Sequence, residues 1–349
     1  MKNFKYFNIE ELNRLLSTRK GETKLGEKVT IPSPNTLDFA QILEKDKANY
    51  VIYGIKEFAG VKANFGAIGK THSWDAFLSS FLNIQNSKLL KGKKILILGC
   101  LDYDIYTDEI ANCNPNHKEE RKRLNQIVDE IDKEVTQLNT LIHLSGKTPI
   151  VIGGGHNNSY GNIKGLALAK NKAINVINFD AHTDFRALGG RHSGNGFSYA
   201  FNEGFLKNYC AFGVHENYLN NWMIKQFENH CERLKMFTFE EMKVRFEKDF
   251  STAMNRAFSQ IKATKYGIEV DVDAIENVAS SAMSPNGFST TEARQFVHLI
   301  ANHPNASYLH LCEGSPDRSS MPINMLGKLL SYLVSDFIKA KNNCKKFSN

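Results

Sequence analysis

Two short motifs rich in aspartate, one of which also contains a histidine, each stand directly at the end of an apolar run. The motif DAHTD (residues 180–184) comes after INVINF, and the motif DVD (residues 271–273) ends GIEVDVD. Successive residues of an extended segment point to opposite sides, so alternate residues of each motif share one face. Carboxylates combined with imidazole form a ligand set suited to divalent cations. The motifs therefore predict a cation site; the alternatives are a solvated acidic turn for the first motif and strand-end acids that cap a helix for the second.

A third motif, GGGH (residues 153–156), follows the apolar run PIVI. Three consecutive glycines allow the backbone to turn sharply and to approach other groups closely. The alternatives are a phosphate-binding loop, whose G-x-x-x-x-G-K-[ST] pattern is absent here, and a histidine with a purely structural role. Together the three motifs contribute two imidazoles, four carboxylates and no thiolate. These candidate ligands are His156, Asp180, His182, Asp184, Asp271 and Asp273.

This ligand set indicates a pair of ions rather than a single one. A structural Zn²⁺ favours cysteine and histidine ligands. Carboxylates numerous enough to bridge suit two divalent ions about 3.5–4 Å apart, which acidify a water molecule between them so that it can attack at neutral pH. Mn²⁺ suits a site rich in oxygen with some imidazole. We therefore expect two manganese ions in each chain.

Seven apolar runs are predicted to be buried strands, because they are rich in β-branched or aromatic residues and lack a clean alternation. They are residues 50–53, 94–98, 149–152, 174–179, 209–212, 267–272 and 308–311. Helices are predicted at residues 114–144, 217–234, 238–261, 290–302 and 324–341. The first of these helices has Asn114 as its N-cap and Pro115 at its first position.

The alternation of strands and helices predicts an α/β fold with right-handed crossovers and an open, doubly wound sheet. No repeat, low-complexity segment or flexible linker divides the sequence. We therefore expect one domain over residues 1–349, with residues 1–45 as a candidate N-terminal extension; two smaller domains are the alternative. Ligands in such sheets bind just beyond the carboxyl ends of the strands, where the three motifs lie.

The composition is ordinary for a globular protein, with 42% hydrophobic and 23% charged residues and a net charge of +7. Basic runs are not combined with stacking aromatic residues, so we expect no nucleic-acid partner. The six cysteines show no paired spacing, which fits a reducing cytoplasm. No apolar segment is typical of a secretory signal or approaches the ~20 residues that span a membrane. The expectation is a cytoplasmic protein without a membrane partner.

The order and spacing of GGGH, DAHTD and DVD resemble the metal motifs of the ureohydrolase family, which includes arginases, agmatinases and formimidoylglutamases. The resemblance covers about residues 50–316 and implies an arginase-like three-layer α/β/α sandwich around a mostly parallel sheet. It also implies two Mn²⁺ ions per subunit and a homo-oligomer. One ion would be held by His156, Asp180, Asp184 and Asp271, and the other by His182, Asp180, Asp271 and Asp273.

The residues after DAHTD are similar to those of formimidoylglutamases, which cleave N-formimidoyl-L-glutamate to L-glutamate and formamide in histidine degradation. The similarity rests on Arg186, the following HSG and Phe197, and on matches within residues 54–66 and 74–85. It implies a small amidine substrate that contacts Arg186, His192, Ser193, Asn195 and Glu313. Arg186 would pair with a carboxylate in bidentate fashion, with a surface salt bridge as the alternative. Glu313 would hold the cationic amidine, with a helix cap as the alternative.

Asp184 and Glu313 are the candidate catalytic residues. Arginases have a proton-transferring histidine near the position of Phe197, so the resemblance leaves Asp184 or His192 to relay a proton to the leaving amine. The sequence departs from the family pattern at Lys62, Asn157, Glu269 and Glu276-Asn277, several of which are expected to surround the ligands. The alternative functions are hydrolysis of arginine, agmatine or a guanidino acid, and metal binding without catalysis.

Overall fold

The computed structural model describes residues 1–33, 38–319 and 322–344. Nine strands of the described chain form one sheet, in the order β1-β3-β2-β4-β9-β8-β5-β6-β7. In chain order the strands are β1 (Phe4–Tyr6), β2 (Tyr50–Lys56), β3 (Ile95–Asp102), β4 (Thr148–Ile152), β5 (Ile174–Phe179), β6 (Leu206–Val214), β7 (Leu234–Thr238), β8 (Tyr266–Asp271) and β9 (Ala306–Cys312). β1 pairs with β3 antiparallel, and the other strand pairs are parallel. The seven predicted strands are confirmed.

The two edge strands, β1 and β7, are not predicted from the sequence. β7 lies between two predicted helices and pairs with β6 alone. β1 lies in the segment assigned to an N-terminal extension, and it places Tyr6 opposite Gly99 of β3. Gly99 has φ +139°, and a Cβ atom there would lie 2.1 Å from the carbonyl oxygen of Lys5. The close approach of β1 therefore requires glycine at this position.

Helices occupy the connections between the strands of the described chain. They are α1 (Ile9–Leu15), α2 (Phe39–Lys45), α3 (Ala59–Ala63), α4 (Ser73–Phe81), α5 (Thr107–Asn112), α6 (Lys118–Leu144), α7 (Asn158–Lys170), α8 (Gly196–Asn202), α9 (Asn221–Asn229), α10 (Phe239–Lys243), α11 (Phe250–Ile261), α12 (Thr290–Ala301) and α13 (Ile323–Cys344). The predicted helices at 290–302 and 324–341 match α12 and α13 within three residues at each end. α12 begins with a capping box between Ser289 and Glu292, which fixes its start.

Three other predicted helices have wrong bounds. α6 begins at Lys118, because the Asn114 side chain accepts a hydrogen bond from the backbone N–H of Asn116 and closes a local turn instead. The predicted helix at 238–261 is two helices, α10 and α11, separated by a segment in which Phe246 has φ +55°. A non-glycine residue in the left-handed region cannot continue a right-handed helix. α9 covers only the middle of the prediction at 217–234, because a 3-10 turn at Glu216–Tyr218 precedes it and the chain turns between Asn229 and the start of β7 at Leu234.

Helices cover both faces of the sheet. α4, α11, α12 and α13 pack with Ile52 of β2 and Phe179 of β5 on one face. α6 packs with Val51 of β2, and α7 and α8 pack with Val176 of β5, on the opposite face. Strands that are buried on both sides read as continuous apolar runs, which explains why the central strands were recognisable. The predicted three-layer α/β/α sandwich around a mostly parallel sheet is confirmed.

The motif-bearing strands are consecutive neighbours in the sheet, in the order β4-β9-β8-β5. Their carboxyl ends are in register: Ile152 of β4 and Val270 of β8 both pair with Leu311 of β9, and Phe179 of β5 pairs with Val270. The residues that follow each strand therefore emerge at one level on one edge of the sheet. This alignment brings together side chains that are far apart in the sequence.

Within the described residues, no helix combines the length and the apolar character that crossing a membrane requires.

Candidate metal centre

The GGGH loop is braced by a buried glutamate from the neighbouring strand. Glu57, directly after β2, accepts hydrogen bonds from the backbone N–H of Gly155 and from the side-chain amide of Asn158, both at 2.8 Å. Gly154 has φ +70°, and a Cβ atom there would lie 2.4 Å from Nδ2 of Asn158. The turn therefore needs glycine at this position. The loop ends at His156, whose side chain is fully buried.

Four candidate ligands meet around the His156 ring. Nδ1 of His156 lies 3.1 Å from Oδ2 of Asp180, 2.8 Å from Oδ2 of Asp184 and 3.5 Å from Oδ2 of Asp271. One ligand atom from each of these four buried residues lies within 4.8 Å of the others. We call His156, Asp180, Asp184 and Asp271 the first cluster.

Asp180, His182 and Asp273 form the second cluster, by the same spacing of ligand atoms. Nδ1 of His182 lies 3.4 Å from Oδ1 of Asp180 and 3.1 Å from Oδ2 of Asp273. Asp180 thus turns one carboxylate oxygen toward each cluster, as a bridging ligand would. The family resemblance implies that Asp271 bridges as well; among the described residues it joins only the first cluster.

Local strain and hydrogen bonds hold the carboxylates of the clusters in place. Asp184 has φ +45°, a left-handed conformation that is costly for a residue with a side chain and that is often found at functional sites. Asp180 accepts a 2.9 Å hydrogen bond from Nδ2 of Asn178, which in turn donates to the Tyr209 hydroxyl at 3.1 Å. Asn178 and Tyr209 therefore fix the orientation of the Asp180 carboxylate.

The electrostatics of the clusters depend on crowded buried charges. Burial and then the nearby carboxylates of Asp273 and Asp180 raise the pKa of Asp271 well above its ordinary value. Burial alone would lower the pKa of His156 and His182, but the surrounding anionic groups raise both well above the ordinary value. Carboxylates crowded in this way favour a positive charge between them, which bound cations would supply.

The arrangement of buried ligand atoms fits two divalent ions. Both ring nitrogens of His156 and Oδ1 of Asp273 are buried and have no hydrogen-bond partner among the described residues; Nδ1 is the His156 nitrogen that faces the other ligands. Buried polar atoms are normally paired, so unpaired atoms within ligand clusters are the atoms that a bound cation would engage. Two imidazoles and four carboxylates form an oxygen-rich set suited to Mn²⁺.

A cavity of about 190 Å³ opens above the two clusters. Arg186, Asn64 and Ser193 contribute hydrogen-bond donors to its lining, whereas Glu313 contributes a carboxylate. Asn64 Nδ2 donates to the Ser193 hydroxyl at 3.2 Å. A Cβ atom on Gly194 would lie 2.9 Å both from Cδ of Arg186 and from Nδ2 of Asn64, so Arg186 and Asn64 converge beside this glycine. The cavity therefore combines a cationic, donor-rich group with carboxylates.

Arg186 is exposed and has no ion-pair partner among the described residues. The surface salt bridge considered as an alternative role for it is thus not formed within that part of the chain. Its guanidinium remains available to a carboxylate ligand in the cavity.

Glu313 follows β9 and faces the same cavity. Its Oε1 accepts a 2.7 Å hydrogen bond from the backbone N–H of His156, and its Oε2 accepts one from the Ser281 hydroxyl. Its backbone lies in the left-handed region, with φ +62°. Burial raises the pKa of Glu313 to about 7, although these hydrogen bonds favour the carboxylate. An incoming cation would restore the ionised form.

Two of the predicted substrate contacts do not line the cavity. Asn195 is buried, and its side chain accepts from Arg191 and from the His192 backbone while it donates to the Gly190 carbonyl. His192 accepts from the Gly194 backbone through Nδ1 at 3.1 Å, and burial lowers its pKa to about 3. Both residues shape the loop that carries Ser193. Phe197 is fully buried and packs edge-on against His156, with ring centroids 5.1 Å apart.

Several residues at the centre were not singled out as site residues from the sequence. Ser281 and Tyr218 line the cavity, and Tyr218 stacks on His182 with centroids 4.6 Å apart. No sequence signal marks either residue. Asn64 and Glu57 lie in the segment 54–66 that resembles formimidoylglutamases, so the resemblance of that segment could have identified them as site residues.

A buried polar network lies beneath the first cluster. Glu269 of β8 accepts hydrogen bonds from the Tyr308 hydroxyl at 2.8 Å and from Nδ1 of His310 at 2.6 Å, and it faces Nε2 of His156 at 3.6 Å. His156, His310 and Cys312 also bring three ligand atoms within 4.8 Å of one another. Burial raises the pKa of the Cys312 thiol well above its ordinary value, so this group lacks a thiolate.

Residues 83–332 match the family model described as the arginase family. The chain belongs to the arginase family. Among curated relatives, this arginase-family chain is 31% identical over 206 residues to a formimidoylglutamase from Geobacillus thermodenitrificans, a match that covers 56% of this chain and 60% of that protein. It is 27% identical over 246 residues to a formimidoylglutamase from Streptococcus gordonii, covering 68% of this chain and 67% of that protein. The chain thus spans about 60% of the length of the first of these relatives.

Solved structures of other proteins share the fold at low sequence identity. The formimidoylglutamase of Bacillus subtilis superposes with a TM-score of 0.68 at 15% identity, covering 96% of this chain and 99% of that chain. A Trypanosoma cruzi formiminoglutamase with Mn²⁺ superposes with a TM-score of 0.67 at 21% identity, covering 91% and 98%.

Proposed function

We propose that this arginase-family protein is a hydrolase of N-formimidoyl-L-glutamate that releases L-glutamate and formamide. The observation that carries the proposal is the pairing, in one 190 Å³ cavity, of the Arg186 guanidinium with the Glu313 carboxylate above the two clusters. A substrate with a cationic amidine at one end and carboxylates at the other matches this distribution of charge. The names of the curated relatives support the same substrate.

The residues that would hold two Mn²⁺ ions are those of the first and second clusters. When bound, such ions supply an acidified water molecule as the nucleophile and stabilise negative charge at the reacting carbon. The Mn²⁺ in the Trypanosoma cruzi relative supports manganese as the metal.

Glu313 orients the substrate in this proposal. Its carboxylate already accepts from the His156 backbone and from Ser281, so its position is fixed before an amidinium arrives. An amidinium that pairs with Glu313 sits beside the ligand clusters, because His156 belongs to the first cluster. Arg186, with Asn64 and Ser193 beside it, binds a carboxylate through charge-assisted hydrogen bonds.

Cleavage of the C–N bond requires a proton for the departing glutamate nitrogen. Phe197 cannot provide one, and His192 does not line the cavity. Asp184 lines the cavity and belongs to the first cluster, so it is the side chain positioned to hold and transfer a proton.

A substrate panel tests this function. The purified chain, loaded with Mn²⁺, would be offered N-formimidoyl-L-glutamate, L-arginine, agmatine and a guanidino acid, with formamide and urea measured as products. We expect formamide release from formimidoylglutamate with the highest kcat/KM of the panel. Preference for agmatine, which has no carboxylate, would contradict the role given to Arg186; binding of Mn²⁺ without any hydrolysis would indicate a non-catalytic member of the family.

A further inference from the structure

Glu269 occupies an unusual position for a charged residue, in the interior of the sheet under the candidate metal centre. Its side chain is fully buried, as are those of Tyr308, His310 and His156 around it. A buried carboxylate is costly unless strong donors surround it. Tyr308 donates to Oε1 at 2.8 Å, and Asn162 approaches the same oxygen at 3.5 Å. Oε2 is left to face the two histidines.

His310 is a hydrogen-bond partner of Glu269. Nδ1 of His310 lies 2.6 Å from Oε2 of Glu269, and Nε2 lies 3.2 Å from the carbonyl oxygen of Gly153. An ionised carboxylate only accepts, so Nδ1 of His310 donates to Oε2. This short hydrogen bond holds the Glu269 carboxylate in place beside the first cluster.

The two nitrogens of His156 face different surroundings. Nδ1 faces the carboxylates of the first cluster. Nε2 makes no hydrogen bond within the described part of the chain, and it faces Oε2 of Glu269 at 3.6 Å. The neighbouring Cys312 thiol donates to the Val270 carbonyl and is only a weak acceptor, whereas Glu269 offers a carboxylate oxygen. A neutral imidazole has one N–H and one lone pair. The tautomer with its lone pair on Nε2 would set that lone pair against an anionic oxygen.

We propose that Glu269 is a positioning residue that selects the His156 tautomer with its proton on Nε2, leaving the Nδ1 lone pair to a metal ion in the first cluster. Metal-bound histidines generally have a partner of this kind on the other ring nitrogen, and loss of the partner weakens metal binding. The inference rests on the metal-binding part of the proposed function. Glu269 lines neither the cavity nor the second cluster. The inference therefore predicts that Glu269 affects only the ion bound by the first cluster.

The test measures Mn²⁺ affinity rather than turnover. In a D273N background the second cluster is disabled, so calorimetric titration reports on the first cluster alone. Adding E269Q keeps the side-chain volume and should lower the affinity of the first cluster by about 10- to 100-fold. E134Q is the matched control, because Glu134 on α6 is a part-buried carboxylate that accepts from the Tyr103 hydroxyl, outside the candidate centre. It should leave the affinity unchanged.

A complementary titration in an H156N background leaves the second cluster intact. There E269Q should not change Mn²⁺ affinity, because Glu269 would act only through His156. Equal losses in both backgrounds would reveal a merely structural role and would overturn the inference, as would unchanged affinity of the first cluster. A wild-type chain that binds two Mn²⁺ ions but does not hydrolyse formimidoylglutamate would contradict the proposed function alone, whereas a wild-type chain that binds no Mn²⁺ would overturn both.

Discussion

The backbone N–H of His156 donates a 2.7 Å hydrogen bond to Oε1 of Glu313, although 157 positions separate the two residues in the sequence. The bond links the loop after β4 to the loop after β9, and these two strands are neighbours in the sheet. A candidate ligand and a candidate substrate-binding carboxylate are therefore held at a fixed separation before any ligand binds. Changes at Glu313 should accordingly preserve its shape if they are to test its charge alone.

Replacement of Glu313 by glutamine should lower kcat/KM for formimidoylglutamate. The amide keeps an acceptor oxygen for the His156 N–H but cannot neutralise an amidinium; a hydrogen bond to a charged group is worth about 1.5–3 kcal/mol, which corresponds to about 10- to 150-fold. Steady-state kinetics measure the loss, and Mn²⁺ content measured alongside should remain at the wild-type value. Equal kcat/KM in the two proteins would remove Glu313 from the substrate site.

Replacement of Arg186 by methionine should act mainly on KM. Methionine keeps an unbranched side chain but loses the guanidinium, so binding of a substrate carboxylate should weaken by about 1.5–3 kcal/mol. The sharpest measurement compares formimidoylglutamate with a formamidine that has no carboxylate. The variant should lose kcat/KM only for the first compound; an equal loss for both would show that Arg186 supports the fold of the loop rather than the substrate.

Replacement of Asp273 by asparagine should leave one Mn²⁺ ion per chain and abolish most turnover. The variant removes the anionic ligand that faces His182 at 3.1 Å, and two-ion catalysis needs several kcal/mol of charge stabilisation, so kcat should fall by at least about 100-fold. Metal analysis of the dialysed protein and initial rates check both parts. Asp108 is exposed, so the same substitution there should change neither value. A fully metallated and active D273N protein would contradict the assignment of the second cluster.

The metal-free protein should lose stability on the acid side, partly through His143. Burial lowers the pKa of this histidine to about 3, with a smaller contribution from Lys170. Below the unfolded value of about 6.5 the unfolded chain takes up a proton that the folded chain does not, so the free energy of unfolding falls by about 1.4 kcal/mol per pH unit from this group as the pH decreases. Denaturant unfolding between pH 7 and pH 4 measures the slope.

An H143F variant should show a shallower slope over the same pH range, because phenylalanine has no proton to take up on unfolding. His298 is exposed, and the corresponding H298F variant should keep the wild-type slope. An unchanged slope in H143F would mean that other groups account for the acid sensitivity.

The sequence predicts the central sheet well because its strands are buried on both faces. β5 has the predicted bounds, Ile174–Phe179, and each of its residues is buried. β1 and β7 escape prediction because three- and five-residue edge strands carry too few apolar residues to stand out, and β7 includes a lysine. The start of α6 at Lys118 is likewise decided by a side-chain turn at Asn114 that competes with the helix.

The candidate ligands could be predicted because their spacing is local, whereas the cavity could not. Asp180, His182 and Asp184 share a motif of five residues, and the register of parallel strands brings this motif to Asp271. Ser281, by contrast, reaches Glu313 only through the path of the loop after β8. Asn195 has the polar side chain expected of a substrate contact, but it makes its hydrogen bonds within its own loop. Such satisfied polar groups cannot be recognised from residue type.

The order of strands across the sheet also constrains when the centre can form. The first cluster takes ligands from the segments after β4, β5 and β8, and Glu313 joins only when β9 fills the gap between β4 and β8. A nascent chain that has emerged as far as Asp184 lacks the strands that bring its ligands to His156. The proposed metal centre is therefore complete only after the middle of the sheet has closed, a step that depends on non-local strand pairings, which form slowly.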